Sequence, residues 1–188
     1  NYSWIQYEYI WKLWFYLYFV KFYNCLYNVW NYKIILSEKM NMKIIKATSK
    51  HTKDVGRLFD LYRQFYKYKS NLKASTNFIK QRILKNESTI FICYSKILEG
   101  AGFVQLYETF DSLNINKKLI LYDLYVDKKY RRLGIGRKLM LKAKDYAVKK
   151  NIKIVELSTA INNKNAQSLY ESLDYERDRE YYNYYLEI

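Results

Sequence analysis

The sequence has no proline, five glycines, two cysteines and a single histidine among its 188 residues. Cys25 and Cys93 are far apart in the chain, which excludes a disulfide framework. With His51 as the lone imidazole, a clustered Cys/His zinc site is excluded too. The same scarcity removes Ser–His and Cys–His nucleophilic mechanisms. His51 sits beside Thr52 at an expected helix start and carries no role in this reading. Cys93 reads as a small buried hydrophobe in a reducing compartment. The longest uncharged stretches, Leu13–Val20 and Phe22–Tyr32, fall short of the roughly 18 apolar residues a spanning helix needs. No small-residue cleavage site marks a secretory signal.

What the chain has in excess is aromatic and basic side chains. There are 23 Tyr, 9 Phe and 4 Trp, and all four Trp (Trp4, Trp11, Trp14, Trp30) fall in residues 1–39. That stretch has neither helical nor strand period, and the first methionines are Met40 and Met42. It reads as a non-conforming aromatic segment, 1–39, ahead of a domain at 40–188. Upstream sequence translated in frame and an interfacial membrane anchor are the two accounts of it. The formal net charge is +15, and the four Lys and two Glu of residues 1–39 leave +13 to the remainder. Such a balance points to a phosphorylated cofactor, nucleic acid or an anionic membrane, or to AT-rich coding that favours Lys, Asn, Ile and Tyr.

From Met42 onward the patterns are regular. Lys43–Ala47 reads as a first strand. Thr52 is placed to cap a helix whose stripe is Val55, Leu58, Phe59, Tyr62, Phe65 and Tyr66. A second helix is expected over Asn77–Leu84, and strands over Thr89–Tyr94, Phe103–Glu108 and Leu119–Val126. Gly100 and Gly102 read as hairpin chemistry between the first two of these strands. Ile135–Lys149 is an amphipathic helix, Ile154–Ser158 a strand, and Ala166, Leu169, Tyr170 and Leu173 another helical stripe. Tyr181–Ile188 closes the chain as a Tyr-rich strand. This order describes an α/β domain: a mixed twisted sheet flanked by about four helices.

The chemistry concentrates in Leu121–Leu139. There a strand enters a basic, glycine-containing turn that opens a helix. Backbone amides at a helix start, freed by glycines and aided by the helix dipole, form a nest for phosphate. Lys128, Lys129, Arg131, Arg132, Arg137 and Lys138 surround it. The G-x-x-x-x-G-K-[ST] loop is absent. The dinucleotide fingerprint fails as well, because Leu139 stands where its third glycine belongs. What remains is R-x-x-G-x-G: Arg131, Gly134, Gly136.

Here the sequence resembles the GNAT superfamily of N-acetyltransferases, whose pyrophosphate signature is [RQ]-x-x-G-x-[GA]. Asn163–Tyr175 is similar to the family's N-x-x-A-x-x-L-Y-E-x-L-G-[FYW] block, and Tyr122–Asp127 to the strand before the loop. Asp174 departs from the pattern, where the family has glycine, and implies a costlier left-handed turn. The resemblance runs from about Met42 to Ile188 and leaves out residues 1–39.

The resemblance implies a GNAT fold and acetyl transfer from acetyl-CoA to a primary amine, by direct attack in a ternary complex and without metal. Amides of the loop Arg131, Arg132, Leu133, Gly134, Ile135, Gly136, Arg137 and Lys138 would hold the pyrophosphate. The strand backbone of Leu124, Tyr125 and Val126 would pair with the pantetheine arm, and an amide near Val126 would face the thioester oxygen. Asn163 would touch CoA or simply cap its helix. A Lys-like amine with pKa about 10.4 must lose a proton, and Asp123 is placed to relay it. The CoA thiolate must gain one, and Tyr170 is the family-matched donor. Each has a plainer alternative, a paired carboxylate for Asp123 and a core tyrosine for Tyr170. Glu108 and Asp111 read as solvated loop charges or as lures for a cationic substrate.

The acceptor expected is a small-molecule amine in the cytoplasm. Acetylation of aminoacyl-tRNA or of a protein amine is the alternative, and a basic nucleic-acid-binding module without catalysis is the reading from another class. Phe103–Phe110 also resembles a subgroup of these enzymes whose acceptors are mostly unassigned. The family's Tyr-rich terminal strands imply a homodimer as a further partner, ahead of nucleic acid or membrane.

Overall fold

The computed structural model describes Lys21 and residues 42–188, so the expectations placed on residues 1–39 lie outside the described residues. Five strands run in chain order across one sheet: β1 (Lys43–Lys46), β2 (Thr89–Tyr94), β3 (Gly100–Asp111), β4 (Asn116–Val126) and β5 (Ile154–Leu157). The first four pair antiparallel, and β5 joins β4 in parallel. Among described residues 42–188, four helices accompany them: α1 (Thr52–Phe65), α2 (Leu72–Leu84), α3 (Ile135–Lys149) and α4 (Lys164–Glu171).

Alternation along the strands sorts the side chains into two cores. All six residues of β2 are buried, as expected for a strand covered on both faces. Ile90, Ile92, Phe103 and Tyr125 turn to one face and meet Val55 and Leu58 of α1 and Ile79 of α2. Phe91 turns to the other, where its ring lies edge-on to Tyr146 of α3 at 5.6 Å. The α3 stripe of Ile135, Leu139, Met140, Ala143 and Ala147 is buried, as its spacing requires.

Several elements differ from the sequence reading. Helix α2 begins at Leu72 rather than Asn77, because Asn71 Oδ1 accepts from the Ala74 amide at 3.0 Å and caps it. Gly100 and Gly102 belong to β3 and not to a hairpin turn. The turn closes earlier, with Leu98 at φ 56° and Ser95 N–H donating to the Glu99 carbonyl. Gly102 is required there by close approach, since a Cβ would lie 2.8 Å from the Tyr125 carbonyl oxygen. Tyr181–Ile188 is not a strand. Asp178 Oδ1 accepts from the Glu180 and Tyr181 amides and bends the chain, and the tyrosines beyond are exposed. His51, given no role above, accepts the Thr48 amide on Nδ1 at 3.0 Å. Asp174 takes φ 65°, the left-handed turn anticipated at that position.

The α1–α2 connection is fastened by Asp60, a buried carboxylate. Ser75 Oγ and the Asn71 amide donate to one of its oxygens, and Ser70 Oγ and Gln64 Nε2 to the other. Burial pushes this carboxyl up, but the four donors outweigh it and hold it below the usual range. Asp60→Ala strands several of those donors and should cost roughly 2–4 kcal/mol in denaturant melts. The depressed pKa adds stability above the unfolded value near 4, and that contribution is lost as pH falls. The wild type should therefore lose its advantage over the variant as melts are repeated at progressively more acid pH.

Candidate functional site

The sheet opens where β4 passes an extra residue. Gln105 lies opposite Asp123 and Leu106 opposite Leu121, so Tyr122 is unmatched on β3. Such a bulge bends the strand and increases its twist. Pairing of β4 with β5 ends at Leu121 and Leu157, just before it. Beyond, Asp127 N–H donates to the Ala101 carbonyl at 3.0 Å. By ladder alternation Leu124 and Val126 then direct their backbone groups away from β3, into the opening. The Val126 carbonyl accepts Arg131 Nε at 3.0 Å from that side.

The basic turn follows at once. Asp127 caps a short 3-10 turn over Lys128–Tyr130 by accepting the Lys129 amide, and Arg57 Nη1 donates to its other oxygen at 2.9 Å. Arg132 and Gly134 both take left-handed backbone, φ 66° and 77°. Gly134 begins α3, and the first helical donor recorded to it is Lys138 N–H at 3.1 Å. The amides of Ile135, Gly136 and Arg137 thus point out of the helix start without an intrahelical acceptor. A Cβ on Gly136 would stand 3.2 Å from Leu169 Cδ2, so the helix start packs on α4. Free amides, a dipole end and a cationic rim form a donor set suited to pyrophosphate.

The basic side chains divide in use. Arg131 also spreads over the rings of Phe65 and Tyr125, at 5.8 and 5.6 Å. Arg137 Nη2 donates to Ser172 Oγ at 2.6 Å, and Lys129 Nζ to Glu99 at 2.6 Å. Lys128 and Arg132 are exposed, Lys138 is half-buried, and Leu133 is buried beneath the turn. Asn163 Oδ1 accepts the Ala166 amide at 3.3 Å, the helix-capping alternative for that residue. Glu108 is tied to Tyr146 and Lys117, and Asp111 closes the β3–β4 turn through Asn114; both act as structural charges.

Asp123 and Tyr170, 47 positions apart in sequence, both act electrostatically on Tyr62. The Tyr62 hydroxyl of α1 donates to the Asp123 carboxylate and also senses Tyr170. Its ring packs edge-on to Phe103 and Tyr125, at 6.3 and 6.4 Å, and to Tyr66 at 5.1 Å. Asp123 is 5 % exposed, and among the described residues no Lys or Arg pairs with it. Burial raises its pKa to about 6, with the Tyr62 hydrogen bond opposing. Burial raises the Tyr170 phenol too, against a hydrogen bond to Thr159. Around neutral pH the pair therefore offers a carboxylate and a protonated phenol. Tyr62 and Tyr66 were legible as an apolar stripe, but nothing in their spacing marks the hydroxyl of Tyr62 as the partner of a carboxylate four elements further along the chain.

The family model described as "Acetyltransferase (GNAT) family" matches residues 55–175. An uncharacterized N-acetyltransferase of Bacillus subtilis, YhfO, is 37 % identical over 147 residues, 78 % of this chain and 98 % of that protein. The thialysine N-epsilon-acetyltransferase of Caenorhabditis elegans is 27 % identical, over 72 % of this chain and 83 % of its own length. A solved structure of a probable acetyltransferase superposes with a TM-score of 0.73 at 34 % identity, covering 78 % of this chain and 97 % of that one. An aminoglycoside N-acetyltransferase in complex with CoA shares the fold, with a TM-score of 0.67 at 15 % identity and coverage of 78 % and 95 %. With the motif, the strand order and the opened sheet in agreement, the chain belongs to the GNAT family and is an N-acetyltransferase.

Proposed function

We propose that the protein transfers the acetyl group of acetyl-CoA to a primary amine of a small cytoplasmic molecule, with Asp123 as base and Tyr170 as acid. The observation that carries this reading is a buried carboxylate, unpaired with Lys or Arg among the described residues, and a buried phenol that both act on Tyr62, beside the opened edge of β4. The similarity to a thialysine acetyltransferase supports an acceptor of that size.

Bound acetyl-CoA supplies an activated acyl thioester. The amides of Ile135, Gly136 and Arg137 bind its pyrophosphate, with Arg131, Arg132, Leu133, Gly134 and Lys138 shaping the turn. The backbone of Leu124 and Val126 pairs with the pantetheine arm along the strand edge that β5 has left. Asp123 orients the incoming ammonium and removes its proton, directly or through one water. Tyr62 keeps that carboxylate fixed while the proton moves. Tyr170 returns a proton to the departing thiolate, whose pKa is about 8–9.

Three measurements test these roles. Gly134→Val forces a β-branched residue to positive φ, a strain of about 1–3 kcal/mol. Calorimetric affinity for acetyl-CoA should drop at least about tenfold, and unchanged affinity removes the loop from the cofactor site. Tyr170→Phe should lower kcat by about 100-fold with little change in acetyl-CoA affinity; equal turnover would return Tyr170 to the core. For Asp123 the base is active when deprotonated, so kcat of the wild type should rise with pH through about 6. Asp123→Asn should reduce kcat by about 100-fold and flatten that acid limb. A limb that survives the substitution belongs to another group.

A further inference from the structure

The face of the sheet that carries Asp123 holds two more polar side chains that the proposed chemistry leaves unused. Gln105 is fully buried in the middle of β3, directly across the ladder from Asp123. Its Nε2 donates to Tyr107 Oη at 2.7 Å and to Ser88 Oγ at 2.9 Å. Its Oε1 is buried and has no hydrogen-bond partner. An amide in a core strand with an orphaned carbonyl is costly, and a packing role alone gives it no reason to be there.

Tyr107 is the half-buried continuation of the same arm. Its oxygen accepts from Gln105, which directs its own proton elsewhere, and among the described residues none is recorded as accepting that proton. Its neighbours are Tyr122, with rings 5.6 Å apart, the Asp123 carboxylate, and Arg82, which is itself paired with Glu87. Burial raises the Tyr107 phenol to about 12, with Asp123 adding to the rise, so it stays a donor at neutral pH. Asp123 pairs across the ladder with Gln105, and Tyr107 lies two positions further along β3. Such diagonal neighbours sit about 7–8 Å apart, which brings a carboxylate and a phenolic donor within the span of one small molecule.

We propose that Tyr107 determines acceptor specificity and that Gln105 positions it: Asp123 takes the ammonium, and the Tyr107 hydroxyl donates to an oxygen close to that nitrogen. The acceptor class is then an amine carrying a neighbouring hydroxyl or carboxylate, an amino alcohol or amino acid, in preference to a plain alkylamine or a polycation. Among the described residues the other carboxylates on this side are already paired, Glu87 with Arg82 beside Tyr107 and Asp127 with Arg57, so a second ammonium meets no unpaired carboxylate near Tyr107. The buried Gln105 amide fixes the Tyr107 oxygen so that the proton is offered to the ligand.

This inference rests on the acetyl transfer proposed above, and its test separates the two. Ethanolamine and n-propylamine differ by an oxygen in place of a methyl group, and kcat/KM is measured for both with the full chain. A hydrogen bond of this kind should favour ethanolamine by about tenfold or more, chiefly through KM. In Tyr107→Phe and in Gln105→Met that ratio should fall towards one, with acetyl-CoA affinity and melting temperature retained. The half-buried Tyr107 ring keeps the test usable if Gln105→Met fails to fold. Transfer to both amines with the same ratio in wild type and Tyr107→Phe overturns this inference and leaves acetyl transfer standing. Transfer to neither amine overturns both.

Discussion

Because β4 carries Tyr122 as an extra residue against β3, its course changes at the point where the site begins. Before the bulge β4 is held on both sides, by β3 and by β5. After it, one edge is released while the other stays paired to Gly102. The same bulge sets Asp123 across from Gln105, on the face that α1 covers. A single insertion therefore yields both an unpaired strand edge, proposed to take the cofactor arm, and a buried carboxylate, proposed to face the acceptor. Had β4 been regular, continued pairing with β5 would have closed the edge.

The helices complete what the bulge starts. α1 brings Tyr62 over Asp123, and the Asp60 knot holds the end of α1 against the start of α2. α3 begins at the basic turn, and its start is packed against Leu169 of α4, one position before Tyr170. The two sequence blocks that resemble the family are thus in contact across Gly136. The Tyr170 phenol and the basic turn share one packing surface, which on the proposed mechanism links cofactor binding to the placement of the acid.

Much of this was legible in the sequence where a local rule decides. Helix α3 is read at its true bounds because Gly134 and a regular apolar stripe define it, and the Arg131-x-x-Gly134-x-Gly136 turn is recognisable through its resemblance to the family signature once other glycine loops are set aside. The reading failed where the deciding partner is remote. Gly102 looks like a turn residue until the Tyr125 carbonyl is placed against it. Tyr181–Ile188 has strand composition, but composition supplies no ladder partner and Asp178 bends the chain away. Asp123 was identified through the resemblance, yet among the described residues the hydroxyl that acts on it sits on a helix 61 positions earlier. The orphaned Gln105 carbonyl has no sequence signal, because an alternating strand gives no hint that a partner is missing.

The crowding of Arg131 and Arg137 has a consequence for ionic strength. Arg131 is held by the Val126 carbonyl and two aromatic rings, and Arg137 by Ser172. Neither is free to swing onto a phosphate. On the proposed reading, the grip on a pyrophosphate then falls largely to helix amides, which act over contact distances. Salt screens charges across a Debye length of about 8 Å under physiological conditions and leaves such contacts almost untouched. A chain of net charge +15 would be expected to lose ligands steeply as salt rises. A nest built from backbone makes that loss gentle.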